Sequence, residues 1–112
     1  MPSYNRIDRI SEEIRKALAE IIRELKDPRI PAMISVISVD VTKDLSSAKA
    51  YISIYGDEKK QKQAMAALKN AAGFIRGEVA HKVKLRAVPE FTFIADHSIE
   101  YGSHINEILK KL

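Results

Sequence analysis

The sequence predicts an α+β domain: a small three-stranded sheet covered by helices on one face. Three observations carry that prediction. Apolar residues recur at three- and four-residue steps over 5–26 and again over 58–84, the period of amphipathic helices. Two β-branched stretches, 33–42 and 48–55, are joined by Lys43-Asp44-Leu45-Ser46-Ser47, a turn-forming run that makes them a hairpin. A third strand-like stretch, 89–95, comes only after the second helical region. Strands and helices therefore interleave, and the sheet needs helical cover on one side.

In the first helix, 5–26, Ile7, Ile10, Ile14, Leu18, Ile21 or Ile22, and Leu25 form the apolar side and charges fill the rest. Ser3 or Asn5 can cap its start. Asp27-Pro28 stops it, because proline disfavours helical geometry in the residue before it. A helix of this length spans roughly 33 Å, enough to back a whole sheet. In the first strand Ile37, Val39 and Val41 share one face while Ile34 and Val36 have the opposite parity, so a bulge is expected near Val36. In the second, Ala48, Ala50, Ile52 and Ile54 alternate with Lys49, Tyr51, Ser53 and Tyr55, the pattern of a half-buried strand. Gly56-Asp57 ends it.

Over 58–84, Met65, Leu68, Ala72, Ile75, Val79 and Val83 make a continuous apolar stripe. Gly73 and Gly77 interrupt it, each costing ~1 kcal/mol against alanine in a helix interior. On a straight wheel Phe74 points toward solvent. A kink at Ala71-Ala72-Gly73 would return it to the core, so two helices are expected, about 58–70 and 74–84. The third strand, Pro89 to Ala95, sets Phe91, Phe93 and Ala95 on one face, and a last short helix, roughly 98–111, uses Ile99, Ile105, Ile108 and Leu109.

The chain has 112 residues, 46% hydrophobic and 30% charged, the length and composition of one globular domain, 1–112. No apolar run is long enough to span a bilayer, and the first residues lack the apolar core of a secretory signal. There is no cysteine, which excludes disulfides, thiolate metal sites and a cysteine nucleophile. Together these features point to the cytosol. Net charge is +4, but residues 57–86 alone hold eight basic and three acidic groups. Concentrated positive charge of this kind is the footprint of polyanion binding.

Catalytic constellations are missing. His81, His97 and His104 show no metal-ligand spacing, and no G-x-x-x-x-G-K-[ST] occurs. Asp96-His97-Ser98 has the residue types of a triad, but adjacent residues on a turn rarely converge and read better as turn and cap. Gly73 and Gly77 form G-x-x-x-G, a helix-pairing motif of apolar membrane segments, here surrounded by Arg76, Glu78 and Lys82. The bend is the notable feature. Lys62, Lys69, Arg76 and Lys84 lie on one side of the wheel with the two glycines. Glycines admit a nucleic-acid backbone, a restarting helix offers N–H groups to phosphate, and arginine adds a bidentate phosphate contact. The alternative is that Ala71 and Gly73 are small because the first helix packs on them.

The order α-β-β-α-α-β is that of a type II KH domain, an RNA-binding fold. Where a standard KH domain carries G-x-x-G between its central helices, this sequence has Ala71-Ala72-Gly73. With that substitution go Arg6-Ile7-x-Arg9-Ile10, Leu25-Lys26-Asp27-Pro28-Arg29 and Val39-x-Val41-Thr42-x-Asp44-Leu45-Ser46-x-Ala48. Ala71-x-Gly73-x-Ile75-Arg76, then Leu85-Arg86-x-x-Pro89-x-Phe91-x-Phe93 and Asp96, complete the set. From about residue 5 to 109 the chain resembles the ribosome-binding factor A family.

The resemblance implies a KH type II-like, single RNA-binding domain that is not an enzyme. It implies a factor that binds immature small (30S) ribosomal subunits and their 16S rRNA and assists late maturation and rRNA processing, notably in cold adaptation. It further implies a cytoplasmic monomer, without cofactor or metal, released in some species with the help of an assembly GTPase. The expected nucleic-acid-binding residues are Lys62, Lys69, Ala71, Ala72, Gly73, Arg76, Lys82, Lys84 and Arg86, with Arg6 and Arg9 of the first helix. Two departures count. The sequence ends at Leu112 without the longer polar tail of many members, so tail functions are not expected. Without G-x-x-G, binding is expected to depend on rRNA shape and phosphate more than on base identity. Two other readings compete: a small basic enzyme acting on a phosphorylated substrate, disfavoured by the acids in Gly56-Asp57-Glu58, and a protein-interaction module using Tyr51 and Tyr55.

Overall fold

The structure, a computed structural model, describes residues 6–30, 34–85 and 87–96. Its elements are α1 (Arg6–Glu24), β1 (Ile34–Val41), β2 (Ser47–Ile54), α2 (Glu58–Asn70), α3 (Ala72–Lys82) and β3 (Glu90–Ala95), the order expected from the sequence. The last expected helix, 98–111, lies outside the described residues, as do His97 and His104.

β2 is the central strand, antiparallel to β1 and parallel to β3. The connections dictate this. A short turn can only return the chain antiparallel, whereas a parallel neighbour needs a crossover, here α2 and α3. Along β2, Ala48, Ala50, Ile52 and Ile54 are buried under the helices while Lys49 and Tyr51 face the other way. In β1 the register shifts between Val36 and Ser38, so the expected bulge is present and Ile37 is its extra residue. The shift puts both Val36 and Val39 in the core and leaves Ile37 42% exposed. The expected grouping of Ile37 with Val39 and Val41 is therefore corrected: a bulge reverses parity at the residue it inserts.

α1 buries Ile10, Ile14, Leu18, Ile21 and Ile22 against β1 and α3. It stops at Glu24, two residues sooner than expected. The Leu25 N–H bonds to the Ile22 carbonyl at 3.2 Å, a tightened last turn, and the Asp27 carboxylate accepts from both the backbone and the guanidinium of Arg29. Those bonds hold its carboxyl below the usual range, the guanidinium contributing most.

α2 and α3 are divided by one residue. The Ala71 N–H bonds back to Ala67 and Leu68, and its carbonyl accepts from Ile75, but its φ of −89° and ψ of 3° leave the helical region. The bend thus falls at the start of the expected 71–73 segment. Two expectations fail beyond it. Phe74 does not return to the core; it is 59% exposed. Ile75 and Val79 occupy the core side of α3, and at 100° per residue the position before Ile75 must then face away. Lys84 is not helical, because α3 ends at Lys82 and Val83 is extended.

Candidate nucleic-acid interface

The topology separates the basic residues that the sequence groups together. The hairpin turn marks one end of the sheet, and β3 starts there: the Glu90 N–H bonds to the Ser46 carbonyl at 3.0 Å. Arg76 belongs to this end, since its Nε and Nη2 both donate to the Val88 carbonyl, at 3.1 and 2.9 Å. α1 runs antiparallel to β1. Its first residues, Ile7 and Asp8, line a groove with Ile37–Val41, so Arg6 and Arg9 also lie toward the hairpin end. Lys62 lies at the other end, in a groove with Gly56, Met65 and Ala95. Lys82 reaches Glu20 Oε2 at 3.1 Å, beside the stretch of α1 that faces the start of β1.

Several of these cations already have partners. Lys82 ties α3 to α1, and the bond to Glu20 raises its pKa. Lys62 pairs with Glu58 one turn back, at 3.3 Å. Arg76 anchors the lead-in to β3, though an arginine has further donors to offer. Lys69, Lys84, Arg6 and Arg9 are exposed and make no ion pair among the described residues. Arg86 lies outside the described residues.

At the bend the two explanations for small residues separate. Ala71 is half-buried and packs against the core, and Ala72 is half-buried. Gly73 is exposed, and a Cβ built on it or on Gly77 would meet nothing within 4 Å. Packing against the core therefore accounts for Ala71 and not for Gly73. α3 also begins without a side-chain cap. Phe74 on its first turn faces solvent, the direction that a straight wheel gives it.

The start of α2 is different. The Asp57 carboxylate accepts the Lys60 N–H at 2.8 Å, and the Gln61 side chain donates to the Gly56 carbonyl at 2.9 Å. Gly56 has a φ of 144° and would place a Cβ 3.2 Å from that of Lys60, so the turn requires glycine. A carboxylate thus sits where a phosphate-transferring enzyme would hold its substrate. Tyr55 is 75% exposed but Tyr51 is half-buried, so the two do not form one exposed pair. Among the described residues, no group of three or more His, Cys, Asp or Glu is placed to hold a metal, and no helix is long and apolar enough to cross a membrane.

A mixed three-stranded sheet backed by helices, with cations on exposed helical turns, defines the class: a small α+β domain with a basic helical surface. The family model for Ribosome-binding factor A matches residues 6–109, and the chain belongs to that family. It is 55% identical over 108 residues to the ribosome-binding factor A of Clostridium tetani, covering 96% of this chain and 89% of the relative. Among solved structures it is similar to the crystal structure of ribosome-binding factor A from Thermus thermophilus, with a TM-score of 0.72 and 28% identity, over 80% of this chain and 93% of the other. It is also similar to a homology model of the Thermus thermophilus factor fitted into the cryo-EM map of a complex with 30S. There the TM-score is 0.66 and the identity 29%, over 78% of this chain and 91% of the other.

Proposed function

We propose that this protein binds immature small ribosomal subunits through their rRNA and promotes late maturation, including rRNA processing and adaptation to cold, without catalysing a chemical step. Family membership across residues 6–109 carries this reading, and a relative has been fitted into a complex with 30S. The charge distribution is in keeping with it, since eight of the 19 basic residues fall within 57–86 and polyanion binding draws on such concentrations. One RNA-binding domain acts as a monomer, and an assembly GTPase assists its release. The contacts come from Lys69, Arg76, Lys84 and the Ala71–Gly73 bend, with Arg6 and Arg9 from α1.

Co-sedimentation with purified precursor and mature small subunits tests the proposal. The protein is expected to travel with the precursor and to be largely absent from the mature particle. Binding should survive a chelator, on subunits whose own folding is preserved, and need no added nucleotide. Equal retention on both particles, or on neither, would refute the maturation reading.

A further inference from the structure

The sheet has an open edge, and the groove beside it is lined with acid rather than base. Among the described residues β1 pairs only with β2, so N–H and C=O groups on its far side are left for another chain. α1 packs on this strand, and between the two runs a groove of about 620 Å³. Among the described residues its charged lining is three carboxylates, Asp8, Glu12 and Asp40, against one guanidinium, Arg15. The chain as a whole carries +4. Arg15 is already bonded to Glu12 at 2.6 Å. Lys49, the partner of Asp40 on β2, is not part of the lining. Apolar surface lies beside the acids: Ile7 and Val41 are half-buried, and the bulge leaves Ile37 exposed.

From the open edge and the charge beside it, we propose that the α1–β1 groove docks an extended, basic segment of a partner protein, added to β1 as a fourth strand. The partner's backbone pairs with the edge and gives affinity, and its side chains give specificity. Lysines or arginines meet the three carboxylates, while apolar side chains lie on Ile7, Ile37 and Val41. The register shift between Val36 and Ser38 interrupts the edge, so pairing is confined to Ser38–Val41, the regular stretch that lines the groove. The same carboxylates repel phosphate, so the occupant is a protein and not a further stretch of rRNA. This partner goes beyond the proposed rRNA binding and does not depend on it.

An octapeptide of alternating lysine and valine is the probe, titrated into isotope-labelled protein and followed by amide NMR shifts. The shifts should concentrate on Ile37–Val41 and the first half of α1. Asp40→Lys and Glu12→Lys should each weaken the peptide about fivefold or more. Both side chains are substantially exposed, so both variants should melt nearly as wild type does. Glu58→Lys makes the same change in net charge at the other end of the sheet and should bind the peptide as wild type does. A peptide with glutamate for lysine should not bind, and one with a central proline should bind weakly, since proline offers no N–H to an edge. Equal affinity of wild type and both groove variants, or shifts spread over the whole surface, would overturn the inference. So would full-strength binding of the proline peptide, which would mean charge attraction without strand pairing. Shifts of the same amides on adding 16S rRNA would assign the groove to nucleic acid, and a dimer that Asp40→Lys dissolves would assign it to a second copy; either result overturns the proposal.

Discussion

Asp44 shows what one carboxylate does for the hairpin. Its Oδ1 accepts from the Ser46 hydroxyl at 2.7 Å, the Thr42 hydroxyl at 2.7 Å and the Ser46 N–H at 3.1 Å. This closes a turn in which Leu45 takes a φ of 61°, within the run 43–47 expected to form the hairpin turn. The Ser46 hydroxyl first, then Thr42, holds the carboxyl down at about 2 against an ordinary 3.8. A depressed folded-state pKa stabilises the fold above the unfolded value and ceases to do so as pH falls through the folded one. The loss should therefore fall between pH 3.8 and about 2. Thermal melts of wild type and Asp44→Asn across that window should converge as pH falls, whereas curves that stay parallel would deny the carboxylate this role. Gly73 bears a different prediction. A methyl there meets nothing, so Gly73→Ala should add up to ~1 kcal/mol to unfolding free energy, measured in urea. If the same variant binds precursor subunits more weakly, the crowding comes from the ligand and not from the fold.

At the scale of elements, α2 depends on very little. It is lysine-rich, and its buried residues are Ala64, Ala67 and Leu68; the alanines let it approach the sheet closely, and Leu68 is its one large, fully buried side chain. Leu68→Ala should cost about 2–5 kcal/mol by leaving a cavity, well beyond Met65→Ala, whose residue is only half-buried. Urea unfolding of the two variants compares them, and similar costs would mean that α2 is held by something other than that leucine. Element type and order were legible in the sequence because apolar period and turn chemistry are local signals: the hairpin, the bulge near Val36 and the break after Asn70 all follow from them. The end of α3 at Lys82 was not. The outward direction of Phe74 was legible on a straight wheel, with Ile75 and Val79 on the buried side; what fails is the expected return of the ring to the core. The candidate site was legible as composition and not as geometry. Spacing set Lys62, Lys69, Arg76 and Lys84 on one wheel, but one non-helical residue at Ala71 divides that wheel. Side-chain reach then gives Arg76 to Val88 and Lys82 to Glu20, partners distant in sequence.

For the whole molecule, the charge must act through salt. Net charge is +4, and a polyanion bound by neutralised phosphates releases counterions. Log affinity for rRNA should then fall linearly with log salt, by roughly 0.7 per contact on single strands and 0.9 on a B-form duplex. Which residues set that slope follows from their partners. Arg76 also holds the Val88 carbonyl, so replacing it disturbs the lead-in to β3 as well as any RNA contact. Lys82 is bound to Glu20, so its replacement tests the α1–α3 tie. Lys69 and Lys84 are exposed and make no ion pair among the described residues, which makes them the cleaner probes. Lys69→Ala and Lys84→Ala should each reduce the slope by about one unit if the lysine meets a phosphate and leave the melting temperature nearly unchanged. Lys82→Ala should lower the melting temperature slightly, by an amount that shrinks as salt rises and screens the pair. Filter binding across a salt series, paired with melts of the same variants, separates the two kinds of effect. If neither Lys69→Ala nor Lys84→Ala moves the slope, while Arg6→Ala and Arg9→Ala do, the rRNA lies along the start of α1 at the hairpin end, and the bend is a feature of the fold alone.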